Sequence, residues 1–319
     1  MINHILVPLD GSELAECVLP HLMAIAPVTG ARVTLIHVLE RTHSPHGNAA
    51  PVDLLGWHMQ KQESQAYLDR IAERLRTVKL EVELTILEGN PAEALIEFAR
   101  SSEADLLLLS THGRTGLSEW NVSSVVQKIL LRSYKSILLI RAYETPPLEV
   151  RYNQLFLAID GSTRAEYILP FAISLAQSHQ SNVTLGMVIQ KPQTMQRFPL
   201  SEEDAAWIQQ FTEKNQNEAS HYLDQLATQL SLKNVQADVK IVVSENALGA
   251  VYDMAEDSRA DLIMIAAHGY SGERRWPYGS IAASLIAYGR TPLMIMQDLS
   301  ENEVPQTHAE RAVREFRGR

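Results

Sequence analysis

The chain states one domain-sized sequence twice, and this repeat constrains the fold more tightly than any motif inside it. The run Ile5-Leu6-Val7-Pro8-Leu9-Asp10-Gly11-Ser12 returns as Leu155-Phe156-Leu157-Ala158-Ile159-Asp160-Gly161-Ser162. Asp105-Leu106-Leu107-Leu108-Leu109-Ser110-Thr111-His112-Gly113 returns as Asp261-Leu262-Ile263-Met264-Ile265-Ala266-Ala267-His268-Gly269. The copies are offset by 150 residues at the first match and 156 at the second. A period this long means duplication of a whole domain, not a solenoid of short repeats. A chain of 319 residues accommodates two such units, each large enough for its own core.

Within each copy, segments of strand character alternate with segments of helical character. In the first copy, strands are expected at Ile5–Leu9, Val33–Val38, Leu80–Ile86, Leu106–Leu109 and Ser136–Ile140. Helices are expected from Ser12 to about Ala26, from Trp57 to Thr77, from Asn90 onward and from Ser123 to Arg132, with a loop from Arg41 to Gly56. Ser12 suits an N-cap, with Glu13 and Glu16 at the positive end of the helix dipole. Asn90-Pro91-Ala92-Glu93 has the form of a capping box with proline at a position that needs no N–H. Leu106–Leu109 is apolar throughout, as a strand covered on both faces by helices must be. In the second copy the strands fall near 154–159, 183–189, 236–243, 261–266 and 292–296.

Strands joined by crossover helices require a parallel sheet with right-handed connections. The expected architecture is therefore two tandem doubly wound five-stranded α/β domains, residues 1–145 and 151–298, followed by a tail at 299–319. The linker holds Pro146 and Pro147, and the tail carries Arg311, Arg314 and Arg317 at the spacing of one helix face, read as a solvated surface. Ligands of such sheets sit at the carboxyl ends of the strands, where strand order reverses. The best-matched segments of the repeat lie at those ends.

The formal net charge of −10 disfavours nucleic acid and anionic membrane as partners. It leaves room for a local anion site built from backbone N–H groups. The single cysteine, Cys17, lies in an apolar helical pattern and reads as a small buried residue. The N-terminus enters a strand directly and no apolar run reaches the length of a membrane span, so a cytoplasmic protein is expected.

Two segments can carry chemistry. The first is the aspartate after the opening strand, Asp10 and Asp160, which is also ordinary turn chemistry in an Asp-Gly-Ser sequence. The second is the loop after the fourth strand. In the second copy it runs from Ala266 through Gly269 to Gly279-Ser280, which opens a helix. Glycines there let N–H groups approach an anion, the helix N-terminus adds positive potential, and the serine adds a donor.

With these segments in place, both halves resemble the universal stress protein (UspA) family. The resemblance rests on the strand ending in Asp, on the glycine-loop pattern leading into Gly279-Ser280, and on Thr111-His112-Gly113-Arg114-Thr115-Gly116-Leu117. It covers about 1–142 and 151–298 and marks a tandem member. The family implies an adenine nucleotide α-hydrolase-like, Rossmann-like fold. It also implies that ATP-binding members hold adenine near the first two strand ends and phosphates in the glycine loop. In the second copy this assigns Ala158, Ile159, Asp160 and Val188 to the base and ribose side, and Ala266, Gly269, Gly279, Ser280 and Ile281 to the phosphate side. The first-copy counterparts are Pro8, Leu9, Asp10 and Val38, then Ser110, Gly113, Ser123, Ser124 and Val125.

Departures from the pattern separate the copies. Both lack its first glycine, having Ser110 and Ala266, and the first copy has Ser123 where the pattern has its third glycine. If that position needed φ > 0 or touched a phosphate, a Cβ would be unfavourable, and Ser123 is read as a helix N-cap. The second copy has Ala158 where the first has Pro8. Nucleotide is therefore expected in the second domain, with the first site weakened. Arg274 and Arg275 fall inside the second loop, within conceivable reach of phosphates but more commonly solvated. His112 and His268 recur without ligand partners at metal spacing and are expected to order the loop by hydrogen bonding, so no metal site is assigned.

No P-loop, dinucleotide fingerprint or nucleophile elbow occurs, nor the adenylate-forming signatures of related folds. Nothing supplies an evident base to activate water. Binding is favoured over turnover, with conformational or partner control in stress response as the expected mode. A slow Mg²⁺-dependent ATP hydrolase or phosphotransferase using Asp160, and a nucleotide-free scaffold, are the alternatives. Pairing of Ile137–Ile140 with Leu293–Met296 would cover two sheet edges and make the chain an intramolecular pseudo-dimer, leaving a further homodimer open.

Overall fold

A computed structural model describes residues 2–40, 54–114, 122–142, 148–190, 202–270 and 277–299. The first half runs β1 (His4–Pro8), α1 (Glu13–Glu16), α2 (Leu19–Thr29), β2 (Arg32–Leu39), α3 (Leu54–Arg76), β3 (Val82–Glu88), α4 (Pro91–Ser101), β4 (Leu106–Ser110), α5 (Ser124–Arg132) and β5 (Ser136–Ile140). The second half repeats it as β6 (Gln154–Ala158), a 3₁₀ turn (Ala165–Ile168), α6 (Leu169–His179), β7 (Asn182–Gln190), α7 (Glu202–Ser231), β8 (Ala237–Ser244), α8 (Ala247–Asp257), β9 (Leu262–Ala266), α9 (Ser280–Tyr288) and β10 (Leu293–Met296).

The strands form one ten-stranded sheet in the order β3-β2-β1-β4-β5-β10-β9-β6-β7-β8. Pairing within each half is parallel. The halves join where β5 meets β10 antiparallel, Leu139 opposite Leu293 and Ile137 opposite Ile295, so the two last strands pair with each other as the sequence suggested. Strand order reverses between β1 and β4 and between β6 and β9, which creates one switch point per half.

Helices cover both faces. Leu22, Ile25, Leu68, Leu75, Leu175, Leu223 and Leu226 bring α2, α3, α6 and α7 into one apolar layer that crosses both halves. Ile96, Ile129, Met254 and Leu285 bring α4, α5, α8 and α9 into the other. Burying each such side chain contributes about 1.5–3 kcal/mol. The halves repack one internal position in concert. Leu6 and Ile36 in the first half correspond to Phe156 and Gly186 in the second, and a Cβ on Gly186 would collide with the Phe156 ring.

Helix α3 begins at Leu54, inside the loop expected to run to Gly56, and the elements depart from the sequence reading in three further places. The first helix is broken into α1 and α2 because Pro20 lacks the N–H that a continuous helix would use. Cys17 sits at that break, fully buried, and burial pushes its thiol up to about 11. The third strand is displaced toward Glu88, since its partly exposed residues give a weak period-two signal. The capping box at Asn90 is only half made. Asn90 accepts from the Glu93 N–H at 3.3 Å, but the Glu93 carboxylate pairs with Arg132 across the α4–α5 contact.

Candidate functional site

Each switch point is built by a tight turn after the first strand of its half. Gly11 and Gly161 have φ of 85° and 81°, a region that L side chains avoid, and so let the chain reverse into the following helix. The preceding aspartate then faces the loop after the fourth strand. Asp10 Oδ1 accepts from the Ser12 N–H at 3.0 Å and the Ser12 hydroxyl at 2.6 Å, while Oδ2 accepts from the Arg114 N–H at 2.5 Å. Asp160 is held identically, by Ser162 at 3.0 and 2.6 Å and by the Tyr270 N–H at 2.6 Å. Gly113 and Gly269 lie against these carboxylates so closely that a Cβ at either would strike the aspartate oxygen. The repeated aspartate is thus a clasp between the turn and the start of the glycine loop, and the turn reading of Asp-Gly-Ser holds in both copies.

In the first half this arrangement encloses a cavity of about 180 Å³. Pro8, Leu9, Asp10 and Val38 line one side, and Ser110, Gly113, Ser123, Ser124 and Val125 the other. All the first-copy residues singled out from the sequence therefore converge. His37 fixes the floor by a 2.8 Å bond between Nδ1 and the Leu9 carbonyl. The Ser110 hydroxyl is committed to the Leu14 and His112 carbonyls, at 2.8 and 2.7 Å. Arg114 lines the cavity and pairs with Glu40 at 3.5 Å.

In the second half, Ala158 ends β6 and the Ile159 N–H binds the Gly186 carbonyl at 2.9 Å, as Leu9 binds Ile36 at 2.8 Å in the first. Val188 lies on β7 in register with Val242, and Ala266 ends β9 beside Met296. Gly279 is tied to the Ala267 carbonyl at 2.7 Å and leads into Ser280 and Ile281, the first turn of α9. These residues occupy the carboxyl ends of adjacent strands and the helix that follows.

The two helix starts share a backbone and differ in chemistry. Ser123 has φ −66° and ψ 158°, and Gly279 has φ −68° and ψ 171°. Neither is left-handed, so the conformational reason for a glycine at this point does not hold. A Cβ on Gly279 would meet the Ala267 carbonyl at an ordinary 3.4 Å. Ser123 does cap α5, accepting from the Val126 N–H at 3.4 Å, whereas α9 has no side-chain cap. The first turn of α9 therefore begins without a side-chain acceptor for its N–H groups.

A second difference escaped the sequence reading. His268 binds Asp298 through its backbone N–H at 3.0 Å and through Nδ1 at 2.8 Å. The Asp298 carboxylate is 1% exposed, with Arg164 3.5 Å from its other oxygen. The histidine does order the loop, through a carboxylate 30 residues away that β10 carries to the end of β9. In the first half His112 instead meets the Thr111 hydroxyl at 3.1 Å. The visible signal was a paired change between copies, Leu14 to Arg164 and Ala142 to Asp298.

Among the described residues no group of three or more His, Cys, Asp or Glu side chains forms a metal cluster. No described helix is long and apolar enough to cross a membrane. Arg274 and Arg275, Thr115 to Leu117, the prolines of the linker and the arginines of the tail lie outside the described residues.

Comparison with known proteins agrees with the fold and its duplication. The sequence model described as the universal stress protein family matches residues 1–141 and again 151–297. Two universal stress proteins of Methanocaldococcus jannaschii are similar. One is 27% identical over 141 residues, covering 44% of this chain and 83% of the relative. The other is 25% identical over 155 residues, covering 44% and 96%. A universal stress protein from Archaeoglobus fulgidus has a similar fold over 94% of this chain and 100% of its own, with a TM-score of 0.67 at 16% identity. A functionally unknown protein from Pseudomonas aeruginosa PAO1 does so over 98% of both chains, with a TM-score of 0.63 at 14% identity.

Proposed function

The chain belongs to the universal stress protein family as a tandem pair of its domains, and from that premise we propose that it binds ATP at the switch points of its two halves and acts as a nucleotide-responsive stress protein. The observation that carries this reading is the first-half cavity, where an apolar wall, the Asp10 clasp and a helix N-terminus converge. Pro8, Leu9 and Val38 offer apolar surface to a base, and Gly113, Ser123 and Ser124 face the phosphate side. The second half takes ATP more tightly, because Gly279 leaves the first turn of α9 uncapped for phosphate oxygens.

The chemistry on offer is binding. Both oxygens of Asp10 and of Asp160 already accept hydrogen bonds from the loop and turn they fasten, so these carboxylates anchor structure rather than stand ready as bases. The fit to Mg²⁺ is through the nucleotide, which would bring the ion on its own phosphates. The two domains are proposed as residues 1–145 and 151–298, and the cytoplasm as the place of action.

The test is nucleotide retention and fate. Purified protein incubated with Mg²⁺ and ATP should hold the nucleotide on a filter and release it as ATP when denatured. No retention would overturn the reading. ADP formation above background that disappears in Asp160→Ala would replace it with hydrolysis.

A further inference from the structure

The helix that presents the second half's phosphate donors is held at both ends by the first half. At its carboxyl end, Arg141 follows β5 and donates from Nη1 to the Ile286 carbonyl at 2.9 Å and from Nη2 to the Leu285 carbonyl at 2.7 Å. Arg141 is buried, and Gly289 makes room for it. A Cβ on Gly289 would come within 3.0 Å of Nη2 and 2.5 Å of the Leu285 carbonyl. At the amino end, Tyr278 immediately precedes Gly279, is buried, and donates its hydroxyl to the Lys135 carbonyl at 3.1 Å, just before β5.

Neither contact is inherited from the repeat. The residues matching Arg141 and Tyr278 in the other copy are Gln297 and Val122. Gln297 makes a different bond, from its side-chain amide to the Pro277 carbonyl at 3.1 Å. The clamp is therefore one-directional, from the first half onto α9. The Leu285 carbonyl also accepts from the Gly289 N–H at 2.9 Å, so the guanidinium adds a second donor there, supplies a donor to Ile286, and complements the negative end of the helix dipole. The nine residues of α9 span about 13 Å, so fixing both ends fixes the direction in which its uncapped N–H groups point.

We propose that Arg141 and Tyr278 are positioning residues for the second-half phosphate site, which is complete only with the first half docked beside it. Arg141 also sits between Ile140 and Ala142, both bonded to Thr111 at the root of the first half's glycine loop, at 2.9 and 3.0 Å. The residue that clamps α9 is thus part of the frame of the other loop. This inference rests on ATP binding in the second half.

The test uses the full chain with Gly113→Ala added to disable the first loop. ATP affinity of the second half is measured in that background for Arg141→Gln, Arg141→Lys and Tyr278→Phe, with hydrogen exchange of α9 amides in nucleotide-free protein. Arg141→Gln should weaken binding about tenfold, Arg141→Lys should restore most of it, and Tyr278→Phe should cost about threefold. Exchange should rise in Arg141→Gln at the Ala283 amide, the first of α9 with a helical hydrogen bond (to the Gly279 carbonyl at 2.9 Å), near the end opposite the substitution. Unchanged affinity in Arg141→Gln, or a rise in exchange confined to 285–289, would overturn the inference. If Gly113→Ala protein binds no ATP at all, the functional reading of the second half fails. The exchange pattern still decides whether Arg141 positions the start of α9.

Discussion

In the first half, the helix after the glycine loop begins at Ser123, whose own side chain occupies one of its first N–H groups. In the second half it begins at Gly279 with the same backbone and no such occupant. Behind the first loop lie Thr111, Leu14 and Ala142, and behind the second lie His268 and Arg164 around the buried carboxylate of Asp298. The second half leaves the first N–H groups of α9 without a side-chain acceptor, holds His268 through Asp298, and ties α9 to the other half. Duplication kept the backbone and let these side chains diverge, so similarity of fold says little about equality of sites.

The largest difference between the halves is the buried network, and removing it should have the largest effect. Asp298→Ala leaves His268 and Arg164 without their carboxylate and should lower stability by about 3 kcal/mol in urea unfolding. A loss below about 1 kcal/mol would mean that the network contributes little to the second loop.

A comparable effect is expected from pH at the contact between α2 and α6. His21 there binds the Tyr152 hydroxyl at 2.7 Å, where the repeat has Phe171 in the matching place. Burial lowers the His21 imidazole from 6.5 to about 4. Between those values the unfolded chain binds the proton and the folded chain does not, so stability falls as pH drops from 6.5 toward 4. The total loss is about 3 kcal/mol. His21→Phe, which makes the two halves alike, should flatten this part of the pH profile at a constant cost of about 1 kcal/mol for the lost hydrogen bond. An unchanged slope would assign the acid sensitivity elsewhere.

The smallest predicted change is the most specific. Exchanging the helix starts, Ser123→Gly with Gly279→Ser, should exchange the order of affinity of the two sites, with each moving about tenfold, or 1.4 kcal/mol. Overall stability should change by only a few tenths of a kcal/mol, the difference between serine and glycine as N-caps. Affinities that keep their order in the double variant would show that the cap does not set the asymmetry.

Much of the fold was readable because strand and helix periodicities came twice, and each copy checked the other. The seam between Ile137–Ile140 and Leu293–Met296 was readable because two apolar edge strands need cover. The first helix was misread as continuous, since apolar spacing persists through Pro20 while the hydrogen-bond ladder does not. At the site, Asp10 and Asp160 were found but their partners were not, because Gly113 and Gly269 meet them only once β1 and β4, or β6 and β9, lie side by side. Ser123 caps α5 as its sequence context suggested, and of the two reasons for glycine at Gly279, positive φ does not hold, while the absence of a side chain is the one the proposed site uses. Asp298 stayed hidden because it lies 30 residues beyond His268, and only the fold closes that distance.

The central claim is that two nucleotide sites with one backbone differ in strength, the second being the tighter. Calorimetric titration of the full chain with ATP and Mg²⁺ tests it directly, with Gly113→Ala and Gly269→Ala each used to break one loop by driving a Cβ into its aspartate. The predicted result is two unequal binding events, the tighter lost in Gly269→Ala and the weaker in Gly113→Ala. A tighter event that survives Gly269→Ala and vanishes in Gly113→Ala would contradict the account.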